Sequence, residues 1–346
     1  MELGIYSFAE MTPDPVTGRQ ISARERLTQV IEEIELADAV GLDVYGLGEH
    51  HRKDFAASSP VTVLAAGAAR TRNIRLSSAV TVLSSADPVR VFQEFATLDL
   101  ISGGRAEIMA GRGAFTESFP LFGNRLEDYD ELFDEKLGLL LALRRDERVS
   151  WQGRHRPALA DAGVYPRPVQ PELPVWVGVG GTLASAVRAG TLGLPMSLGI
   201  IAGDTRRFAP LADLYRQAGA VAGHDPAALR LGLSLHGYVA DSPRQVVDDT
   251  YAPFVTAMQI FLGLAPTALP SREQYAAELA INGALVAGPP EQVAEKIAFQ
   301  HQIFGHSRFL MQISVGTMPH DKVLRSIELL GTKVAPLVRQ ALGEPR

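Results

Sequence analysis

The sequence predicts an α/β protein folded as a (β/α)8 (TIM) barrel, and three observations support this prediction. Eight apolar runs of strand length alternate with segments whose apolar residues recur at helical spacing. The strand-like runs have the apolar character of parallel strands covered by helices. No internal repeat beyond the alternation and no break in composition divides the chain, so we expect one domain over residues 1–346. A doubly wound sheet is the alternative arrangement of the same units.

The first four βα units occupy roughly the first 144 residues. The first predicted helix has the clearest start, because Ser22 suits an N-cap, Glu25 follows three residues later, and Gly41 ends the segment. A proline-rich segment with little periodicity follows the fourth unit, and we interpret it as an insertion with room for a small hairpin. The predicted strands are 3–8, 42–48, 74–83 and 105–111, the helices are 22–41, 59–70, 88–102 and 127–143, and the insertion is 147–174.

The alternation then resumes and completes the barrel. Ser242 and Pro243 mark the start of the helix after the seventh strand. A second irregular insertion separates that helix from the next one. The predicted strands are 174–181, 194–201, 229–240 and 308–314, the helices are 182–193, 204–223, 242–261, 290–304 and 321–342, and the second insertion is 264–290.

The composition narrows the possible chemistry. The chain has no cysteine, which excludes disulfides, thiolate nucleophiles and Cys-ligated metal centres. Its net charge of -6 argues against nucleic acid or anionic lipid as a partner. The N-terminus lacks a basic signal region, and no apolar run approaches the roughly 18 residues of a membrane span, so we expect a cytoplasmic protein with no membrane partner.

Three titratable residues, Glu49, His50 and His51, directly follow the second predicted strand. In a barrel this places them at the carboxyl ends of the strands, where active sites lie. A structural role for the adjacent histidines stays open, since neighbouring residues in extended chain point to opposite sides. The same geometry disfavours a shared metal ion, and we expect no metal site.

The block from "EHHRKDF" through "SSAVTVLSSADPVRVFQEFATLDLISGGR" to "AGRGAFTESFPLFG" resembles the bacterial luciferase-like flavin monooxygenases, on the α-subunit side. The resemblance covers nearly the whole chain and implies the same barrel. It further implies reduced FMN supplied by a separate flavin reductase, O2 and a small organic substrate. Other branches of the family use the deazaflavin F420 instead. Family members are commonly dimers packed through helices on the side of the barrel, which implies a homodimer here.

The resemblance also implies roles for individual residues. His50 matches the catalytic histidine, with Glu49 as an orienting carboxylate and His51 in a packing or gating role. An imidazole that titrates near neutral pH suits proton exchange. A non-proline cis peptide at Ala79–Val80 would support the flavin ring. The implied cofactor-binding residues are Ala79, Val80, Gly111, Arg112, Gly113, Gly181, Thr182 and Ser185, with Gly181, Thr182 and Ser185 on the phosphate, facing Arg112.

The chain departs from the luciferases at two of these positions. Gly111 stands where they carry a reactive cysteine, and Gly181 where they carry an acid, so light emission is not implied. We expect a monooxygenase that uses reduced FMN. An F420-dependent hydride-transfer enzyme and a non-catalytic flavin-binding barrel stay open as alternatives. Tyr6, Phe8 and His236 are weaker candidates for the pocket wall, and His236 fits equally well as a hydrogen-bonded core residue.

Overall fold

The computed structural model describes residues 1–343 and confirms the predicted barrel. Eight parallel strand positions close into a ring in the order β1, β2, β3, β5, β8, β9, β10 and β12. The strands within the described residues are β1 (Glu2–Ser7), β2 (Val44–Leu47), β3 (Arg75–Ser78), β4 (Thr81–Val82), β5 (Ala106–Gly111), β6 (Arg148–Trp151), β7 (Leu159–Gly163), β8 (Val175–Val179), β9 (Met196–Ile200), β10 (Leu231–Val239), β11 (Val286–Gly288) and β12 (Arg308–Gln312).

Helices surround the ring and follow the predicted order. Ser22 caps the first of them, as predicted, by accepting a hydrogen bond from the backbone N–H of Glu25. The α-helices are α1 (Ala23–Ala39), α2 (Pro60–Ala68), α3 (Pro88–Ser102), α4 (Ser118–Leu121), α5 (Tyr129–Arg145), α6 (Leu183–Thr191), α7 (Ala209–Val221), α8 (Pro243–Leu262), α9 (Arg272–Ala277), α10 (Pro290–Phe304), α11 (His320–Leu329) and α12 (Ala335–Ala341).

The structure refines four of the predicted elements. The third predicted strand is divided into β3 and β4, with the cis peptide Ala79–Val80 between them. The first insertion holds the antiparallel hairpin of β6 and β7. The second insertion is less irregular than expected, because it contains α9 and also β11, which pairs in parallel with the end of β10. A π-helical turn, Leu330–Val334, joins α11 to α12 within the last predicted helix.

The amino ends of the strands are closed by a buried arginine. Arg308 has no exposed surface, and its guanidinium forms two hydrogen bonds to the carboxylate of Glu107, at 2.6 and 3.1 Å. Its Nε donates to Glu2 at 2.8 Å, and its guanidinium carbon lies 4.1 Å from the Trp176 ring centroid. This end of the barrel is therefore filled by paired charge and an aromatic ring.

No single helix within residues 1–343 is long and apolar enough to cross a membrane. One pair of consecutive helical segments, Pro243–Leu262 and Pro266–Ala277, has the required length and composition together. The two segments meet at an angle of 115°.

Candidate functional site

Three glycines pack against the cis peptide Ala79–Val80 at the carboxyl ends of the strands. A Cβ on Gly46 would lie 2.8 Å from the Cβ of Ala79, and one on Gly178 would lie 2.7 Å from Val80 Cγ1. A Cβ on Gly111 would lie 2.5 Å from Val80 Cγ2. Because such distances are too short for carbon atoms in contact, only glycine fits at these three positions. The sequence reasoning selected Gly111 but overlooked Gly46 and Gly178.

His50 lies beside this segment in an aromatic pocket. The centroid of its ring is 4.2 Å from that of Phe55, 4.8 Å from Phe8 and 5.1 Å from Phe115. Neither ring nitrogen hydrogen-bonds to another residue in the described part of the chain. Burial, together with the positive charges of the neighbouring His51 and Arg52, lowers the pKa of His50 to about 3. The imidazole is therefore neutral at pH 7, contrary to the expectation that it titrates near neutral pH.

Glu49 contacts His51 and the backbone rather than His50. One carboxylate oxygen lies 2.7 Å from His51 Nε2, and the other accepts the backbone N–H of Val82 at 2.9 Å. The His51 ring also meets the edge of Phe122, at a centroid distance of 4.9 Å. Glu49 thus ties the β2 loop to β4, directly after the cis peptide. Its catalytic role stays a prediction, and its contacts are those of a positioning residue.

Arg112, Thr182 and Ser185 come together, as the resemblance implied. Arg112 Nη2 donates to Thr182 Oγ1 at 3.1 Å, and that hydroxyl donates to Ser185 Oγ at 2.7 Å. Thr182 precedes α6 without capping it through its side chain, so its hydroxyl does not satisfy the first N–H groups of the helix. The helix dipole, those N–H groups and the guanidinium together form an anion-binding arrangement.

The two glycines predicted next to these residues have left-handed backbone conformations. Gly181 has φ +111°, and a Cβ there would meet no atom within 4 Å, so the space before α6 is open. Gly113 has φ +83°, and its carbonyl accepts a hydrogen bond of 2.9 Å from the Tyr129 hydroxyl. Both glycines therefore permit a turn that other residues adopt rarely. Their contact with a cofactor stays a prediction.

Several residues at this face were missed by the sequence reasoning. Phe55 and Phe115 lie inside the quoted motifs, where their aromatic character was the available signal. Phe261, at the end of α8, stacks on Phe55 with a centroid distance of 4.8 Å. Nothing local in the sequence distinguishes it from other apolar residues of that helix. Arg52 joins these elements by donating to the carbonyls of Ile260 and Phe261, at 3.1 and 3.4 Å.

Two further titratable groups lie near the carboxyl ends of β10 and β1. The imidazole of His236 forms no hydrogen bond to a described residue, which disagrees with the hydrogen-bonded core alternative, and burial lowers its pKa to about 4. Glu10 is buried, and one of its oxygens accepts from Gln312 at 3.0 Å while the other has no partner among the described residues. Burial raises the pKa of Glu10 to about 7, although Arg26 opposes the shift. This face therefore holds buried polar groups that lack hydrogen-bond partners among the described residues.

One cluster of metal-ligating groups occurs within the described residues, outside this site. Ligand atoms of Asp128, Glu131 and His155 lie within 4.8 Å of one another. The guanidinium of Arg154 already pairs with Glu131 at 2.8 Å and neutralises part of the negative charge. The cluster therefore does not alter the expectation of no metal site, which stays a prediction.

Comparisons with known proteins identify the family and support the fold. The family model described as luciferase-like monooxygenase matches residues 1–307. The 4-hydroxyprotoasukamycin monooxygenase of Streptomyces nodosus subsp. asukaensis is 27% identical over 319 residues, which cover 88% of this chain and 85% of that protein.

Two solved structures share the fold. The oxygenating constituent of 3,6-diketocamphane monooxygenase of Pseudomonas putida, solved with FMN, has a TM-score of 0.77 and 21% identity, covering 98% of each chain. An F420-dependent secondary alcohol dehydrogenase, solved with an F420–acetone adduct, has a TM-score of 0.72 and 19% identity, covering 98% of this chain and 99% of that one. On the match over residues 1–307, the chain belongs to the luciferase-like monooxygenase family and is an oxidoreductase.

Proposed function

We propose that this protein is a monooxygenase that uses reduced FMN and O2 to oxidise a small organic substrate. The observation that carries the proposal is the chain of donors from Arg112 through Thr182 to Ser185 at the start of α6. A guanidinium beside a helix N-terminus suits the phosphate of FMN. The family relationship and the FMN-bound neighbour support the same cofactor.

The residues at the carboxyl ends of the strands fit a flavin. Gly46, Gly111 and Gly178 let the side chains of Ala79 and Val80 pack closely at the cis peptide, and Gly181 leaves the space before α6 open. Arg112, Thr182 and Ser185 would hold the phosphate, and Ala79–Val80 would contact the ring system. When bound, the reduced flavin supplies the electrons and the oxygen chemistry, which protein side chains alone do not provide.

His50 would manage protons and polar contacts beside the reacting atoms. At pH 7 its neutral imidazole carries one N–H donor and one acceptor, and no described residue occupies either of them. Phe8, Phe55 and Phe115 surround the ring and limit the access of water to it. A dry, apolar surrounding strengthens each hydrogen bond that His50 makes to a substrate or cofactor.

A binding series tests the choice of cofactor. The purified protein is titrated anaerobically with reduced FMN and with reduced F420, and we expect binding of reduced FMN. Binding of F420 alone would replace the proposal by F420-dependent hydride transfer, the reaction class of one structural neighbour.

A turnover experiment tests the monooxygenase activity. Oxygen consumption and product are measured with reduced FMN over a substrate panel, for the wild type and for His50→Gln. We expect product formation that falls about 100-fold or more in His50→Gln, the usual contribution of a positioned proton-transfer group. The control is His224→Gln, because His224 lies at the surface after α7 and contacts the carbonyl of Thr191. If no substrate yields product and His50→Gln changes nothing, the non-catalytic alternative replaces the proposal.

We further propose that the protein works as a homodimer and receives its reduced flavin from a separate reductase. The support for a dimer is the surface between α2 and α3. Helix α2 contains no charged residue, and a groove of about 450 Å³ runs between it and α3. Ile101 at the end of α3 is 54% exposed. Sedimentation velocity tests this proposal, since Ala65→Glu in the groove should give monomers and Thr28→Glu on exposed α1 should not.

A further inference from the structure

The proposed phosphate-binding arginine already has an acidic partner. Asp130, the second residue of α5, forms an ion pair with Arg112 Nη1, while Nη2 of the same guanidinium donates to Thr182 at 3.1 Å. The guanidinium also lies over the ring of Tyr129, at 4.9 Å from its centroid. Asp130 is 71% exposed and Arg112 is 20% exposed. An exposed carboxylate therefore shares the guanidinium with the proposed phosphate site.

We propose that Asp130 competes with the phosphate of the cofactor for Arg112. This inference rests on the proposed function, because it presumes that a phosphate binds between Arg112 and the start of α6. A carboxylate and a phosphate bind a guanidinium through the same charged hydrogen bonds. When both anions are present they repel each other, so the phosphate binds more tightly once Asp130 has moved away.

The position of Asp130 keeps the free-energy cost of moving its carboxylate away from Arg112 low. Its side chain faces solvent for most of its surface, and it lies in the first turn of α5. There the positive end of the helix dipole stabilises a carboxylate even without an ion pair to arginine. The carboxylate of Asp130 is therefore stabilised both in its ion pair with Arg112 and in solvent at the start of α5. The result is a weaker hold on the phosphate, which suits a diffusible flavin that enters and leaves in each cycle.

Binding of FMN and riboflavin separates the phosphate contribution from the ring contribution. Dissociation constants are measured by fluorescence titration at about 20 mM salt, where screening is weak. We expect Asp130→Asn to bind FMN about 2- to 10-fold more tightly than the wild type, and to bind riboflavin equally well. At about 1 M salt, where the screening length falls to about 3 Å, the gain for FMN should disappear.

A neighbouring acid gives the matched control. Asp134, one turn further along α5, is paired with Arg188 of α6 rather than with Arg112. Asp134→Asn removes the same charge from the same helix, and we expect the FMN dissociation constant to stay at the wild-type value. Asp130→Ser serves as a second variant at the test position, and thermal unfolding confirms that each variant is folded.

The outcomes distinguish this inference from the proposed function. If wild-type protein binds FMN no more tightly than riboflavin, the phosphate site itself is wrong, and with it the main support for the proposed function. If FMN is preferred but Asp130→Asn binds it equally or less tightly, only the competition is refuted. Weaker binding of FMN by Asp130→Asn would indicate that Asp130 orients Arg112 for the phosphate.

Discussion

The two ends of the barrel treat polar groups in opposite ways. At the amino ends of the strands, the guanidinium of Arg308 is paired with both Glu107 and Glu2, and Arg230 adds a further pair to Glu2. At the carboxyl ends, the imidazoles of His50 and His236 and one oxygen of Glu10 hydrogen-bond to no described residue. Burying a polar group without a partner costs free energy.

From this difference we infer that the amino ends of the strands contribute stability and that the carboxyl ends bind the ligand. Each of the three guanidinium nitrogens of Arg308 donates a hydrogen bond to a carboxylate oxygen, so this charge is paired without a ligand. The unpaired end regains free energy when a ligand supplies the missing hydrogen bonds. The division agrees with the general observation that active sites of such barrels lie at the carboxyl ends of the strands. Substitutions at each end should therefore have different consequences for folding and for binding.

The largest effect is expected for Arg308→Met. Removing the guanidinium leaves the buried carboxylate of Glu107 without its main partner, which costs about 3–5 kcal/mol in the free energy of unfolding. Urea unfolding measures the loss, and FMN affinity of the folded fraction should stay near the wild-type value. Arg125→Met is the control, because its pair with Glu127 is exposed and should contribute little. A loss no larger than that of the control would contradict the structural role of the paired end.

A smaller effect, of about 3 kcal/mol, is expected for Glu10→Gln and should depend on pH. Burial raises the pKa of Glu10 from 4.5 to about 7, so its contribution to stability is present below pH 4.5 and is lost as the pH rises through 7. Glutamine keeps the acceptor for Gln312 and does not ionise. The variant should therefore gain stability relative to the wild type between pH 4.5 and 8.

Urea unfolding at several pH values across that range checks the Glu10 prediction. The control is Glu295→Gln, an exposed position on α10 whose substitution should give a difference independent of pH. A constant difference between Glu10→Gln and the wild type would show that the buried carboxyl does not change its ionisation between these pH values.

The same contrast explains how much the sequence could predict. The barrel follows from local patterns, because strand and helix periodicities and caps such as Ser22 are properties of short segments. The contact between the hydroxyls of Thr182 and Ser185 follows from their spacing, because Thr182 is the N-cap of α6 and Ser185 lies three residues later. The division of the third strand at Ala79–Val80 came from the family resemblance, since an apolar strand sequence does not indicate it.

The remaining features depend on contacts between distant segments. Phe261 contacts Phe55 across more than 200 residues of sequence, and Asp130 contacts Arg112 from α5. The pKa of His50 could not be predicted because it depends on the three phenylalanines that surround the ring and remove it from water. Tertiary contacts of this kind leave no periodic signal in the sequence.

Gly178→Ala, at the carboxyl ends of the strands, should lower the free energy of unfolding by about 1–3 kcal/mol, the usual cost of overpacking. Its Cβ would lie 2.7 Å from Val80 Cγ1, and the β-branched Val80 has few other conformations to adopt. Displacement of Val80 should weaken flavin affinity at least tenfold, as measured by titration with FMN and riboflavin. Gly180→Ala is the matched control, because a Cβ there meets nothing within 4 Å. Equal effects of the two substitutions would refute the packing argument.

The smallest effect concerns His306, which is the exception at the paired end. It is fully buried beside β12, neither ring nitrogen has a partner among the described residues, and burial lowers its pKa to about 3. The unfolded chain takes up a proton at this residue below pH 6.5 while the folded state does not, so stability falls as the pH is lowered from 6.5 towards 3. His306→Leu removes this dependence. Between pH 8 and pH 5 the free energy of unfolding should fall by about 1–2 kcal/mol more in the wild type than in the variant. Urea unfolding at the two pH values measures the difference. Parallel pH profiles for the two proteins would mean that His306 takes up its proton in the folded state as it does in the unfolded chain, which would contradict the prediction.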